Sequence, residues 1–174
     1  MWNKVIRIGL VVLVLSTLAG CRKYYGQRSV VIPDNSEGSA VLKLIVQGPR
    51  YFEIQDLDVE VWIDHPNFAD LEVWIESPLG TVVPLFNDVV DGEPKLIFND
   101  QASRPFGSFK YEEPGPWYPA VPEYQIQDYD PHALGLFVYN GEDPRGWWEL
   151  HVRDRYPGNT GTVELFGLCI NGEW

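Results

Sequence analysis

The feature that most constrains the fold is a two-residue alternation of apolar and charged side chains, with no sustained helical period anywhere. It is plainest in DVEVWIDHPNFADLEVWIESPLGT, residues 58–81, which writes nearly the same strand twice. V-E-V-W-I-D runs into a short loop, and L-E-V-W-I-E follows. Successive side chains of a strand point to opposite sides, so this alternation marks one buried face and one wet face. Leu57, Val59, Val61 and Ile63 then face a core, as do Leu71, Val73 and Ile75. Trp62 falls on the acidic side with Asp58, Glu60 and Asp64, and Trp74 with Asp70, Glu72 and Glu76.

Most other segments read the same way. AVLKLIV (40–46), IQDLDVEVWID (54–64), DLEVWIE (70–76), TVVPLF (81–86), PKLIF (94–98), HALGLFVY (132–139), GWWELHV (146–152) and GTVELFGLCI (161–170) are short, β-prone and separated by turn residues. The sequence predicts an all-β chain, a jelly-roll antiparallel β-sandwich of about eight strands. Residues 101–131 are the exception, rich in proline and aromatic residues with little strand pattern. A loop of that length in a compact domain is uncommon, and is often functional or folded over a surface. If the two tryptophan strands pair as a hairpin across HPNFA, Trp62 and Trp74 become neighbours on the outer face. Either the aromatic segment 101–131 covers them, or they pair across strands, or they form a contact platform for a protein or a glycan. In the last case Trp117 joins them as a candidate binding residue.

The beginning of the sequence belongs to no fold. Lys4 and Arg7 precede an apolar run, Ile8 to Leu15, and then LAGC. The run is shorter than the roughly 20 residues of a permanent membrane helix, and reads as the hydrophobic region of an export signal. LAGC, Leu18–Cys21, resembles the lipobox of bacterial lipoproteins; the other reading is an ordinary signal peptide whose exit contains a cysteine. The resemblance implies that residues 1–20 are removed and that Cys21 is lipidated as the new amino terminus. With Arg22 rather than aspartate after it, it implies the outer membrane of a bacterial envelope. The expected organisation is a signal peptide at 1–20, lipidated Cys21 and a polar tether to residue 30, and a sandwich over 31–174. Loss of residues 1–20 removes two cations and no acid, so the net charge moves from −12 to −14. Such a chain is unsuited to nucleic acid, which is bound through Lys and Arg, and anionic lipid would repel it, so the acyl chains would do the anchoring. Cys169, within the apolar VELFGLCI, reads as an unpaired core residue.

Particular residues carry a further resemblance. IPDN (32–35), VEVWIDHPNFADLEVWIESPLGT with His65, Asp70-Leu71, Ser77-Pro78 and Gly80-Thr81, FNDQA (98–102), and LGLFVYNGEDPRGWWELHVRDRYPGNTGTVELFGLCI (134–170) occur in order. Together they resemble the P domain, or Homo B domain, that follows the catalytic domain of kexin- and furin-like proprotein convertases and of many bacterial subtilases. The sequence departs from that pattern in the proline-rich segment, in Asn159 where an acid is common, and in having no protease-like segment ahead of it. The resemblance implies a jelly-roll sandwich and a supporting role beside a protease. It also makes calcium the most credible cofactor: Asp64, Asp70 and Asp100 match or border positions where such domains gather acids, and loop carboxylates supply the oxygens a hard cation needs. The alternative is that these acids satisfy turn amides.

Catalytic machinery is not announced. The three histidines are His65, His132 and His151, and no G-x-S-x-G elbow is present. His65 is expected to fix a turn and His151 to sit in a strand. The expected function is a non-enzymatic, membrane-anchored module that binds or supports another protein, plausibly a subtilase-type protease; the alternative is a glycan-binding module of the envelope.

Overall fold

The computed structural model describes residues 20–26, 29–87, 94–102, 123–124 and 135–173. These contain ten strands: β1 (Arg22–Gly26), β2 (Val30–Ile32), β3 (Ala40–Val46), β4 (Glu53–Asp64), β5 (Leu71–Glu76), β6 (Val82–Asn87), β7 (Lys95–Phe98), β8 (Glu123–Tyr124), β9 (Gly146–Asp154) and β10 (Gly161–Glu173). Two short 3-10 turns, Phe68–Asp70 and Leu136–Tyr139, complete the described elements. One sheet has four strands in the order β3-β9-β5-β6; the other runs β1-β10-β4-β7-β8, with β2 also on β10. All pairings are antiparallel except that of β8, two residues long, which lies parallel to β7. The predicted sandwich is therefore the observed one, with more strands than the alternation alone reveals.

The core is the set of residues the alternation points inward. Leu42, Leu44, Leu71, Val73, Ile75, Trp148, Leu150 and Val152 from the four-stranded sheet meet Val59, Val61, Ile63, Phe166, Leu168 and Ile170 from the other. Each Val, Leu, Ile or Phe side chain among them, removed from water, contributes about 1.5–3 kcal/mol. Where the alternation slips, a bulge accounts for it. The register of β4 on β10 shifts between Asn171 and Gly172, so Ile54 and Leu57 both face inward despite their odd spacing. A second shift in β6 against β5 lets the consecutive Leu85 and Phe86 both be buried.

Three expectations are corrected. First, β4 and β5 do not pair: they lie in different sheets. The loop between them carries His65 and Phe68, both buried, and Phe68 stacks on Phe86 at 6.0 Å. The chain thus crosses the edge of the sandwich instead of turning back. Second, part of the polar tether is a strand. β1 pairs with β10 from Arg22↔Ile170 to Gly26↔Phe166, Tyr24 packs on the core, and the Tyr25 ring lies over Gly167, where a Cβ would come within 2.7 Å of it. Third, LFVY at 136–139 is a 3-10 turn, not a strand. Asp100 accepts the backbone N–H groups of Leu136 at 3.0 Å and Phe137 at 2.6 Å, and Leu136 and Tyr139, three apart, share the buried side.

Candidate functional site

Because β4 and β5 part company, Trp62 and Trp74 stand on opposite outer faces of the sandwich and form no common platform. Trp62, facing outward on the six-stranded sheet, is already occupied. Its Nε1 donates to Glu60 Oε1 at 2.9 Å, and Lys95, its register partner on β7, holds Nζ 4.1 Å from the ring centroid. An ammonium over an aromatic face is a favourable contact, and it covers the face a ligand would need.

Trp74 has a different setting. On the outer face of the four-stranded sheet it lies between His151 of β9 and Pro84 of β6. Its ring stacks on the His151 imidazole, with centroids 4.9 Å apart and 8° between planes. His151 Nδ1 meets Ser39 Oγ at 3.1 Å, while Nε2 points toward Glu149 Oε2 at 3.4 Å and Glu76 Oε2 at 3.8 Å. Beyond the ring, Glu72, Val82, Pro84 and Arg153 complete a shallow hollow floored by Trp74, and Arg153 is ion-paired with Glu72. The same face carries Trp147, 57% exposed, opposite Ile45, 44% exposed, with Val82, 51% exposed, at the β6 edge. Sequence reading did not single out Trp147, although in GWWELHV the alternation that buries Trp148 turns Trp147 outward. Trp117 and His132 lie outside the described residues.

The three candidate calcium ligands do not converge. Asp64 is exposed. Asp100 caps the 3-10 turn through Leu136 and Phe137. Asp70 is buried, with Oδ1 accepting from Asn67 Nδ2 at 2.8 Å and Oδ2 from Asn159 Nδ2 at 2.9 Å. Among the described residues no group of three or more acids, histidines or cysteines is arranged to hold a metal. The donors around Asp70 explain why these residues do not fit a cation. At position 159, where the resembled pattern often has an acid, the Asn159 amide donates an N–H to Asp70.

His65 does fix a turn, as its position suggested. Its ring is buried, Nδ1 lies 2.8 Å from the Asn67 carbonyl oxygen and 3.2 Å from the Asn67 backbone nitrogen, and Nε2 faces Asp154 Oδ2 at 3.4 Å. Asp154, also fully buried, accepts the Tyr156 N–H at 3.0 Å on its other oxygen. With Arg155 N–H donating to the Asp70 carbonyl at 2.9 Å, this cluster ties the β4–β5 crossing to the β9–β10 connection. The pair itself is enclosed and ties the two connections together, while Asp64, Pro66 and Gly161 beside it line a hollow that opens next to the His65 ring.

Cys169 is neither buried in the core nor unpaired. It sits between Leu168 and Ile170, which point inward, and therefore faces out, where it forms a disulfide with Cys21. The two Cα atoms are 5.3 Å apart across 148 residues of chain, within the usual span of such a bond. Cys21 lies just before the edge strand β1 and reaches diagonally across to Cys169, whose register partner is Lys23.

No protein-family model matches the chain, and no curated protein sequence matches it. Solved structures do. A crystal structure of a serine protease of Aeromonas sobria matches with a TM-score of 0.51 at 16% identity, over 88% of this chain and 26% of that one. A crystal structure of the same organism's serine protease in complex with the chaperone ORF2 matches with a TM-score of 0.53 at 18% identity, again over 88% of this chain and 26% of the other. The likeness is one of fold, and the chain spans about a quarter of the length of the chains it matches.

Proposed function

We propose that this protein is a non-catalytic accessory module of the bacterial cell envelope that binds or supports a secreted serine protease of the subtilase type. In this reading it is exported by the signal in residues 1–20 and held at the outer membrane through lipid on Cys21. The observation that carries the reading is the outer face of the four-stranded sheet, where Trp147, Ile45 and Val82 stay exposed beside Trp74. Exposed apolar side chains on one face, Ile45 with Trp147 on one side of the Lys43–Glu149–Glu76 row and Trp74 with Pro84 on the other, are the kind of surface that marks an interaction site on a chain with net charge −12. The resemblance to P domains supports a protease as the occupant. So does the fold shared with about a quarter of a serine protease chain, one of whose structures includes a chaperone.

A second reading, a glycan-binding module, has its own supporting feature. The hollow floored by Trp74 and bounded by the Arg153–Glu72 ion pair combines an aromatic ring with hydrogen-bonding groups suited to a sugar. The test is direct binding of the exported chain to the source cell's subtilase-type serine protease, and separately to its cell-wall glycan. Protease binding that Trp147→Ala weakens by about tenfold or more, with Trp62→Ala unchanged, is the expected result. Glycan binding lost in Trp74→Ala, without protease binding, replaces the first reading by the second. Binding to neither removes both.

A further inference from the structure

We propose that the Cys21 sulfur is a branch point dividing the exported protein into an anchored form and a disulfide-closed, unanchored form. The proposal rests on the reading of Cys21 as the lipid attachment site, and adds the competition for that atom. One sulfur holds one further partner: a thioether to lipid and a disulfide to Cys169 exclude each other.

The geometry makes the competition real. Residue 22 follows Cys21 directly into a hydrogen-bonded ladder with β10, so once β1 has docked there is no slack to carry the sulfur away from Cys169. Both cysteines are half-buried on the outer face of the six-stranded sheet, where soluble reagents reach them. The two reactions also belong to different stages. Acylation requires only the neighbourhood of Cys21, while disulfide formation requires a residue 148 positions later to have folded against it. A chain acylated before its sandwich closes is anchored and leaves Cys169 as an accessible thiol. A chain that folds first is sealed against acylation, and is released as soluble protein where an ordinary signal peptidase cuts behind the apolar run.

Both branches balance. In the first, the Cys21 thiol loses its proton and forms a carbon–sulfur bond to the glyceryl group of a glycerophospholipid, while the carbon–oxygen bond to the phosphate breaks and the phosphate headgroup leaves. In the second, the disulfide of a thiol–disulfide oxidoreductase exchanges with the two thiols. It takes up two electrons and two protons and leaves Cys21 and Cys169 joined.

The test is to express the full chain with its signal in a bacterium that processes lipoproteins, separate membrane from soluble fractions, and block free thiols with N-ethylmaleimide before intact mass measurement. The expected membrane form carries the lipid mass and one maleimide. The expected soluble form carries no lipid and no maleimide until reduced, and then takes two. Cys169→Ser is expected to empty the disulfide-closed soluble population and raise the anchored share, and Cys21→Ser to give soluble protein with one free thiol. A wholly lipidated population with no disulfide form overturns the branch point, because the bond then never competes. A wholly soluble, disulfide-bonded population overturns it together with the anchor. Protease binding by that soluble form, measured separately, would still stand or fall by itself.

Discussion

Asp70 is the residue whose surroundings say most about how this chain departs from the pattern it resembles. Both its oxygens are held by amides, from Asn67 and Asn159, and Asn67 is itself fixed because its Oδ1 accepts the Ala69 N–H at 3.3 Å. Calcium is therefore expected to leave the melting temperature of the wild-type protein unchanged. Asn159→Asp removes one donor and sets two carboxylates side by side. In chelator it should lose about 1–3 kcal/mol of stability, and millimolar calcium should restore most of that, read as melting curves with and without the ion. A calcium shift in the wild type as large as in the variant would mean that the amides rotate to present oxygen. Tyr139 offers a second residue-scale check. Its hydroxyl donates to the Ile75 carbonyl at 3.3 Å inside the core, and burial first, then the nearby carboxylates of Glu142 and Glu76, push its pKa above the ordinary 10.0. The folded state thus prefers the neutral phenol, so the contribution is intact below pH 10 and is lost as pH rises beyond it. Tyr139→Phe should cost about 1 kcal/mol in urea unfolding near neutral pH. Above about pH 10 the gap should close, since the wild type alone then loses up to about 1.4 kcal/mol per pH unit.

At the scale of elements, what was legible followed the two-residue period, and what was not depended on contacts far along the chain. The inward sets of β4 and β5 were readable because each strand alternates through its full length. The sheet each strand joins was not, because nothing local to HPNFA says that Phe68 will be buried against Phe86. The 3-10 turn at 136–139 was hidden for a similar reason: its cap is Asp100, 36 residues away. Cys169 is a plainer case, since the alternation of Leu168 and Ile170 already pointed it outward. Its partner could not be guessed while residues 22–26 read as a polar tether. β1 is short and pairs on one side only, with β10, so its hold on the sheet depends heavily on the disulfide. Reducing the disulfide-closed form should speed hydrogen exchange of the Tyr24 to Gly26 amides at least tenfold, while the Val59 and Val61 amides of β4, shielded on both edges, stay slow. Global stability should fall by about 2–5 kcal/mol. Uniform acceleration across both strands would show that β1 is not a separately opening unit.

For the whole molecule, charge and surface pull in different directions, and salt separates them. Acids outnumber Lys and Arg by 25 to 13, so the folded chain is compressed against its own repulsion. Raising sodium chloride from about 50 to about 500 mM shrinks the range of that repulsion from over 10 Å to a few ångströms, and should raise the melting temperature by a few degrees. The proposed contact face works otherwise. Trp147, Ile45, Val82 and Trp74 are apolar, and most charges between them face an opposite one, Arg153 with Glu72 and Lys43 with Glu149, leaving Glu76 beside His151. Association through that strip depends on removing apolar area from water, which salt does not screen. The dissociation constant for the protease should therefore change less than about threefold over the same range. A fall in affinity of tenfold or more would place the contact on the acidic surface instead, against a basic partner, and the apolar face would then need another occupant.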